Sequence, residues 1–299
     1  MATKNISEIG RNIDAIYQTR HVTNAMYMLS VTAMRRGMAN IGYNREYLRN
    51  VCSAVKDILE KSPDVRNAFI GSAEERRGLD TAFFVLASDK SLCGAYNQNV
   101  ASEAMRRIRD VREDGRGTVV YTAGVKIAEI LRNRGVEVCK NFDGASQYPT
   151  LQHAYRIAQE IIGIFRSGRV KDVYVIFTDY VSAANQPVVA HRLLPLAVDN
   201  FETVSLERPY AAQMTYVPSP EEAYEKIVRQ YLQGFLYGSL CSAQVCENMA
   251  RMTAMQSATH SADEMLAKLE AAYNAARQLQ ITSELTEIAA ATELIKNAI

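Results

Sequence analysis

All seven prolines of this chain of 299 residues lie between positions 63 and 220: Pro63, Pro149, Pro187, Pro195, Pro209, Pro218 and Pro220. Proline removes a backbone donor and clashes with the preceding turn, so it ends or kinks a helix. Both ends of the chain are therefore free to form long helices, and the middle is not.

The N-terminal segment offers Asn5 as a helix cap, with Glu8 at capping-box spacing. Ile6, Ile9, Ile13 and Ile16 follow at steps of 3, 4 and 3. After an irregular step the apolar stripe resumes as Val22, Met26, Leu29 and Ala33, and later as Leu48, Val51, Val55 and Ile58. So narrow a stripe is the pattern of a coiled coil. Gly37 and Gly42 weaken its middle and admit a bend there.

The C-terminal segment has the stronger start: Ser219 as cap, Pro220 at the first helical position and Glu222 completing the box. Beyond it the only glycines are Gly234 and Gly238. At 1.5 Å per residue, about 80 helical residues reach roughly 120 Å, against about 30 Å for an ordinary domain core. Such a helix needs a partner helix, a partner protein or both. Its stripe runs Ala262, Leu266, Leu269, Tyr273 and Ala276, then takes a step of five to Ile281. From there it continues as Leu285, Ile288, Thr292, Ile295 and Ile299, with Thr292 as a polar exception. The slip falls on Arg277, Gln278 and Gln280 and reads as a coiled-coil stutter. Residues 1–60 carry a net charge of +3 and residues 218–299 a net −4, which favours pairing of the two ends.

Between them the chain alternates strand and helix. Strand candidates are "TAFFVLASD" (81–89), "TVVYTAG" (118–124), "VEVCKNF" (136–142), "KDVYVIFTDYVS" (171–182) and "QPVVAHRLLPL" (186–196). Helical stretches at 97–113, 125–135 and 150–168 separate the first four. Alternation of this kind implies a parallel sheet with helices on its faces; the last two strands are expected to form an antiparallel hairpin. The expected fold is α/β: a long antiparallel coiled coil of 1–62 with 218–299, and a Rossmann-like domain of about five strands at 78–200. Segments 63–77 and 201–217 read as linkers.

The residues show little chemistry. Lys plus Arg is 34 and Asp plus Glu is 33, which argues against a nucleic-acid partner held by bulk charge. The five cysteines, Cys52, Cys93, Cys139, Cys241 and Cys246, form no CxxC and read as reduced thiols. Cys241 and Cys246 do not share a helix face. His21, His153, His191 and His260 make no metal-ligand spacing. The turn after the first strand, "SDKSLCGAYN" (88–97), contains one glycine, Gly94, where a phosphate loop needs several. Cys93 there is a packed residue, or an activated thiol if it lies at a helix N-terminus. Asp89 reads as a cap or turn former, with a catalytic carboxylate as the sharper alternative. Arg35 and Arg36 read as a solvated face, and the methionines of both ends as core filling. The opening residues lack the apolar core of a signal peptide, and no apolar run reaches 18 residues. No cofactor, metal or catalytic residue is expected.

Three stretches carry a resemblance. "ARMTAMQSATHSADEM" (250–265) with "YNAARQLQITSELTEI" (273–288) resembles the C-terminal signature of the gamma subunits of F-type ATP synthases. "SDKSLCGAYN" is similar to that family's SDRGLCG turn, and "VTNAMYMLSVTAMRR" (22–36) to its ITKAMKMVAAAKMRR-like N-terminal motif. The resemblance spans nearly the whole chain. It implies a non-catalytic rotor shaft inside a ring of three alpha and three beta subunits, with the α/β foot against the epsilon subunit and the membrane c-ring. Carried over by motif, Arg277, Gln278 and Thr282 contact a beta-subunit loop. Leu285, Ile288, Ile295 and Ile299 enter an apolar bearing, and Met26, Arg35, Arg36 and Arg251 are shaft positions. Asp89, Leu92, Cys93 and Gly94 form the foot turn. The implied setting is peripheral, at the cytoplasmic face of a bacterial membrane. Asn24 and Tyr27, Lys90 and Ser91, and the closing "AAATELIKNAI" depart from the family's usual residues. The alternatives are a rotor of a paralogous F-type-like ATPase, a coiled-coil scaffold with an unrelated partner, and a nucleotide-using enzyme on the α/β domain.

Overall fold

The computed structural model describes residues 2–61, 69, 79–196, 216–217 and 219–296. Most of the expected linkers, 63–77 and 201–217, and Ile299 lie outside the described residues; so does the side chain of Ile295.

The elements in chain order are α1 (Ala2–Lys61), β1 (Asp80–Leu86), α2 (Tyr96–Glu113), β2 (Thr118–Ala123), α3 (Val125–Asn133), β3 (Lys140–Asn141), α4 (Leu151–Arg166), β4 (Val170–Thr178), β5 (Val188–Leu194) and α5 (Pro220–Lys296). The sheet order is β3-β2-β1-β4-β5. The first four strands in that order run parallel, and β5 returns antiparallel to β4. The expected third strand shrinks to Lys140–Asn141. It is an edge strand, and two further bonds, Cys139 N–H to Val120 O and Phe142 N–H to Thr122 O, tie its flanks to β2.

The chain divides into two compact units, Val31–Arg251 and Met1–Ser30 with Met252–Ile299. In the first, the period of two along β1 sorts side chains to opposite faces of the sheet. Phe84 and Leu86 join Ile157, Ile161 and Phe165 of α4, together with Val55 and Ile58 of α1 and Tyr224, Val228 and Leu236 of α5. Phe83 and Val85 join Val100, Ala104 and Ile108 of α2 and Ile127 and Leu131 of α3. The start of α5 follows its sequence signal: the Ser219 hydroxyl accepts from Glu222 N–H at 3.3 Å. Thr150 caps α4 likewise, accepting from His153 N–H at 3.1 Å.

Glycine does not interrupt α1. Within this unit Gly37 is a point of close approach, since a Cβ there would lie 2.6 Å from Val245 of α5. Gly234 of α5 meets Tyr47 in the same way, and its carbonyl accepts a buried hydrogen bond from Asn44 Nδ2 at 3.1 Å. Gly42 meets nothing within 4 Å. The middle of α1 is thus closely apposed to α5 where a weak point was expected.

The second unit is an antiparallel pair of helices. Arg20 forms an ion pair with Asp263, Thr23 Oγ1 lies 2.8 Å from Thr259 Oγ1, and Gly10 faces Tyr273. Facing residue numbers therefore add to 282 or 283. Three sequence expectations change here. Asn5 lies inside α1, which already begins at Ala2, because nothing in the residues before it breaks a helix. Val22 and Leu29 are 58% and 70% exposed, and the buried positions are Thr23 and Ser30. The seam keeps its spacing by accepting hydroxyls, so a search for apolar residues selects the wrong face. On α5, Ala262 and Leu266 are buried and Leu269, Tyr273 and Ala276 half-buried, as expected. The next seam position is Gln280, also half-buried, whereas Ile281 is exposed. The steps stay at 4, 3 and 4 through 269, 273, 276 and 280, and the stutter disappears.

Candidate functional site

In open α/β sheets ligands bind beyond the carboxyl ends of the strands, where the strand order reverses. Here that place lies between β1 and β4. The Ser88–Asn97 turn leaves β1 at this point, and α5 fills the crevice. Ser242 Oγ accepts from Tyr180 N–H at 2.6 Å, just past β4, and donates to Asp179 Oδ1 at 3.2 Å. The Tyr96 hydroxyl donates to Ala243 O at 3.0 Å, and Gln244 Nε2 donates to Gln147 O at 2.8 Å. A helix of the chain itself occupies the space in which such folds hold a nucleotide.

The turn is tied internally as well. The Ser88 hydroxyl donates to Lys90 O at 2.6 Å, and the Asn97 side chain accepts from Ser88 N–H at 3.1 Å. Asn97 Nδ2 also reaches Cys93 Sγ at 3.3 Å. Leu92 and Gly94 take left-handed conformations, with φ of 64° and 56°; the leucine does so at a steric cost. Cys93 is buried, and burial pushes its thiol pKa up, so the packed reading holds and the activated one does not. Cys241 and Cys246 are also buried, their thiols raised by desolvation to about 11 and about 12, and they pack in separate clusters. Asp89 is a cap. Its carboxylate accepts from Val125 N–H, the first residue of α3, at 3.0 Å and from Gln147 N–H at 3.2 Å. A carboxylate at a helix N-terminus also meets the favourable end of the helix dipole.

Arg251 and the turn, which motif reading kept apart, come together. Arg251 pairs with Glu247 at 2.6 Å, one helical turn back, with both side chains at least 90% buried, and it reaches Ser91 O at 3.4 Å. Burial pushes the Glu247 carboxyl above its ordinary pKa, and the Arg251 guanidinium pulls it down. Sequence reasoning missed Glu247, Asn97 and Ser242. The i,i+4 spacing of Glu247 and Arg251 was visible, but their burial was not.

The other expected residues lie apart from this cluster. Met26 is half-buried on α1, and Arg35 and Arg36 are exposed. On α5, Arg277, Gln278 and Thr282 are exposed. Leu285 and Ile288 are 62% and 63% exposed. Every described side chain from Ile281 to Thr292 is exposed. By the helix-pair register Ala2 stands opposite Ile281, so no described residue of α1 stands opposite 282–292. Thr282, Thr286 and Thr292 donate their hydroxyls back to carbonyls of their own helix, at 2.9, 2.7 and 2.8 Å. They thus present methyl groups and acceptor lone pairs outward. Among the described residues no cluster of His, Cys, Asp and Glu is arranged to hold a metal, and no helix is long and apolar enough to cross a membrane.

A family model described as ATP synthase matches residues 5–294. The ATP synthase gamma chain of Ruminiclostridium cellulolyticum is 33% identical over 286 residues, covering 95% of this chain and 96% of that protein. The chain belongs to the ATP synthase gamma-chain family. The gamma chain of Caldanaerobacter subterraneus is 32% identical, covering 94% of this chain and 97% of that one. The sodium ion specific gamma chain of Acetobacterium woodii is 29% identical, covering 98% and 99%. Among solved structures, the central stalk and c-ring of the Tetrahymena thermophila mitochondrial ATP synthase gives a TM-score of 0.59 at 20% identity, covering 79% of this chain and 99% of that chain. An F1 and c-ring structure of the Euglena gracilis mitochondrial enzyme gives 0.65 at 13% identity, covering 98% and 95%. At those identities the likeness is one of fold, and it reproduces the gamma-chain plan of two terminal helices around an α/β domain.

Proposed function

We propose that the chain turns as the rotor of an F-type ATP synthase, coupling ion flow through a membrane c-ring to nucleotide chemistry on beta subunits. As a member of the gamma-chain family it is a non-catalytic central-stalk subunit. The observation that carries the rotor reading is the end of α5, where Leu285 and Ile288 are exposed on a helix that no described residue of α1 covers. Apolar side chains in that position await a surrounding surface. Three alpha and three beta subunits supply it. Arg277, Gln278 and Thr282 make the polar contact with a beta-subunit loop, and Leu285, Ile288, Ile295 and Ile299 turn in an apolar bearing.

The α/β domain forms the foot, meeting the epsilon subunit and the c-ring, with Asp89, Leu92, Cys93 and Gly94 shaping its turn. Met26, Arg35 and Arg36 are shaft contacts, and Arg251 serves the shaft by clamping that turn to α5. The protein sits peripherally at the cytoplasmic face of a bacterial membrane. Rotation biases each beta subunit only as far as the shaft's faces bind its conformations unequally.

The test is ATP hydrolysis by the complex reconstituted with alpha and beta subunits. Gln278→Ala and Thr282→Ala should each lower turnover several-fold while helical content and melting temperature of the free chain stay unchanged. Full turnover in both variants would remove the polar contact. Failure of the wild-type chain to assemble with alpha and beta subunits would leave a scaffold instead of a rotor.

A further inference from the structure

A second surface lies on the opposite side of the α/β domain from the antiparallel strand. The outer face of α4 and the β2–β3 edge enclose an open cleft of about 590 Å³, lined by Lys140, Phe142, Tyr155, Arg156, Gly163 and Arg169 among others. Concave sites of roughly 300–1,000 Å³ are the usual size for small ligands. Three cations from three places in the chain line it: Lys140 from β3, Arg156 from α4 and Arg169 from the turn before β4. Glu160 neutralises Lys140 at 2.5 Å. Neither Arg156 nor Arg169 has an ion-pair or hydrogen-bond partner among the described residues. The cleft therefore holds two uncompensated guanidiniums.

Gly163 adds an independent sign. It lies within α4, where glycine weakens a helix relative to alanine. Close packing does not require it, since a Cβ would meet nothing within 4 Å. What its missing side chain leaves open is this cleft. Guanidinium forks match the oxygens of phosphate in paired hydrogen bonds, and the Tyr155 and Phe142 rings offer apolar walls beside them.

We propose that this cleft binds a small phosphate-bearing anion. Its source is either a free polyphosphate or the phosphate end of a nucleotide, and the test separates the two. Calorimetric titration of the full-length chain at low ionic strength would use sodium pyrophosphate and ADP, with citrate and a hexaglutamate peptide as comparisons. Pyrophosphate or ADP is expected to bind. The Arg156→Gln, Arg169→Gln double variant should bind at least about tenfold more weakly. Gly163→Met, which fills the cleft with a good helix former, should abolish binding. Circular dichroism checks that both variants fold, and the arginine pair is exposed enough that its replacement tests the site even if Gly163→Met does not fold. ADP binding about tenfold tighter than pyrophosphate would assign a nucleotide, and equal affinities a free polyphosphate. No binding of either, or binding that survives both replacements, would overturn the proposal. Citrate binding as tightly as pyrophosphate would also overturn it, as would tighter binding of hexaglutamate, which would point to an acidic protein partner.

Discussion

Glu247 and Arg251 are ionisable side chains placed where water scarcely reaches, and each makes the other tolerable. Removing one partner of such a pair leaves a buried charge uncompensated, at a cost of about 3–5 kcal/mol. Arg251→Met should therefore lower unfolding free energy by about 3 kcal/mol in urea melts, and adding Glu247→Gln should restore much of the loss. A double-variant loss equal to the sum of the losses in Arg251→Met and Glu247→Gln would show that the pair is not coupled. Asp89 shows how far such details were legible. Its position after a strand marked it as a cap or turn former, and it caps α3. The groups it holds, Val125 and Gln147, are 36 and 58 residues away, and no local pattern reports a partner at that distance. The same holds for Arg251 and Ser91, 160 residues apart.

At the scale of elements, the glycines divide by what they face. Gly42→Ala puts a methyl into open space on α1 and should stabilise the chain by about 1 kcal/mol. Gly37→Ala drives a methyl into Val245 and should destabilise it by about 1–3 kcal/mol. Thermal melts of the two variants should move in opposite directions, and matching shifts would contradict the close approach of α1 and α5. Sequence could not tell these residues apart, because a helix glycine looks the same over a neighbour as over solvent. It read α5 well for the converse reason: Ser219, Pro220 and Glu222 act on their own backbone. It also read β1, β2 and β4, whose apolar runs are largely buried on both faces of the sheet, and the edge strand β5, which is half-buried over its first five residues. It failed on the seam of the helix pair, where Thr23, Ser30 and Gln280 hold positions that an apolar search leaves blank.

For the molecule as a whole, protection should follow burial. Amides of α5 at 281–292, where every side chain is exposed, should exchange hydrogen faster than those at 224–243, where Tyr224, Val228, Leu232, Leu236 and Leu240 are fully buried. Exchange measured by mass spectrometry on the free chain checks this, and adding alpha and beta subunits should slow the distal segment. Uniform protection along α5 would contradict it. The plan of the fold followed from proline placement and strand–helix alternation. The filling of the sheet's crevice by α5 did not, because it depends on contacts between residues more than 60 positions apart. The hydroxyl seam of the helix pair has a mechanical corollary. Thr23 meets Thr259, and a slide of seven residues would set it against Leu266 or Met252, which offer a hydroxyl nothing comparable. A leucine zipper can creep by a heptad and still be greasy. Here the two strands are keyed like a spline, so a twisting load applied at one end has no neighbouring notch into which to slip.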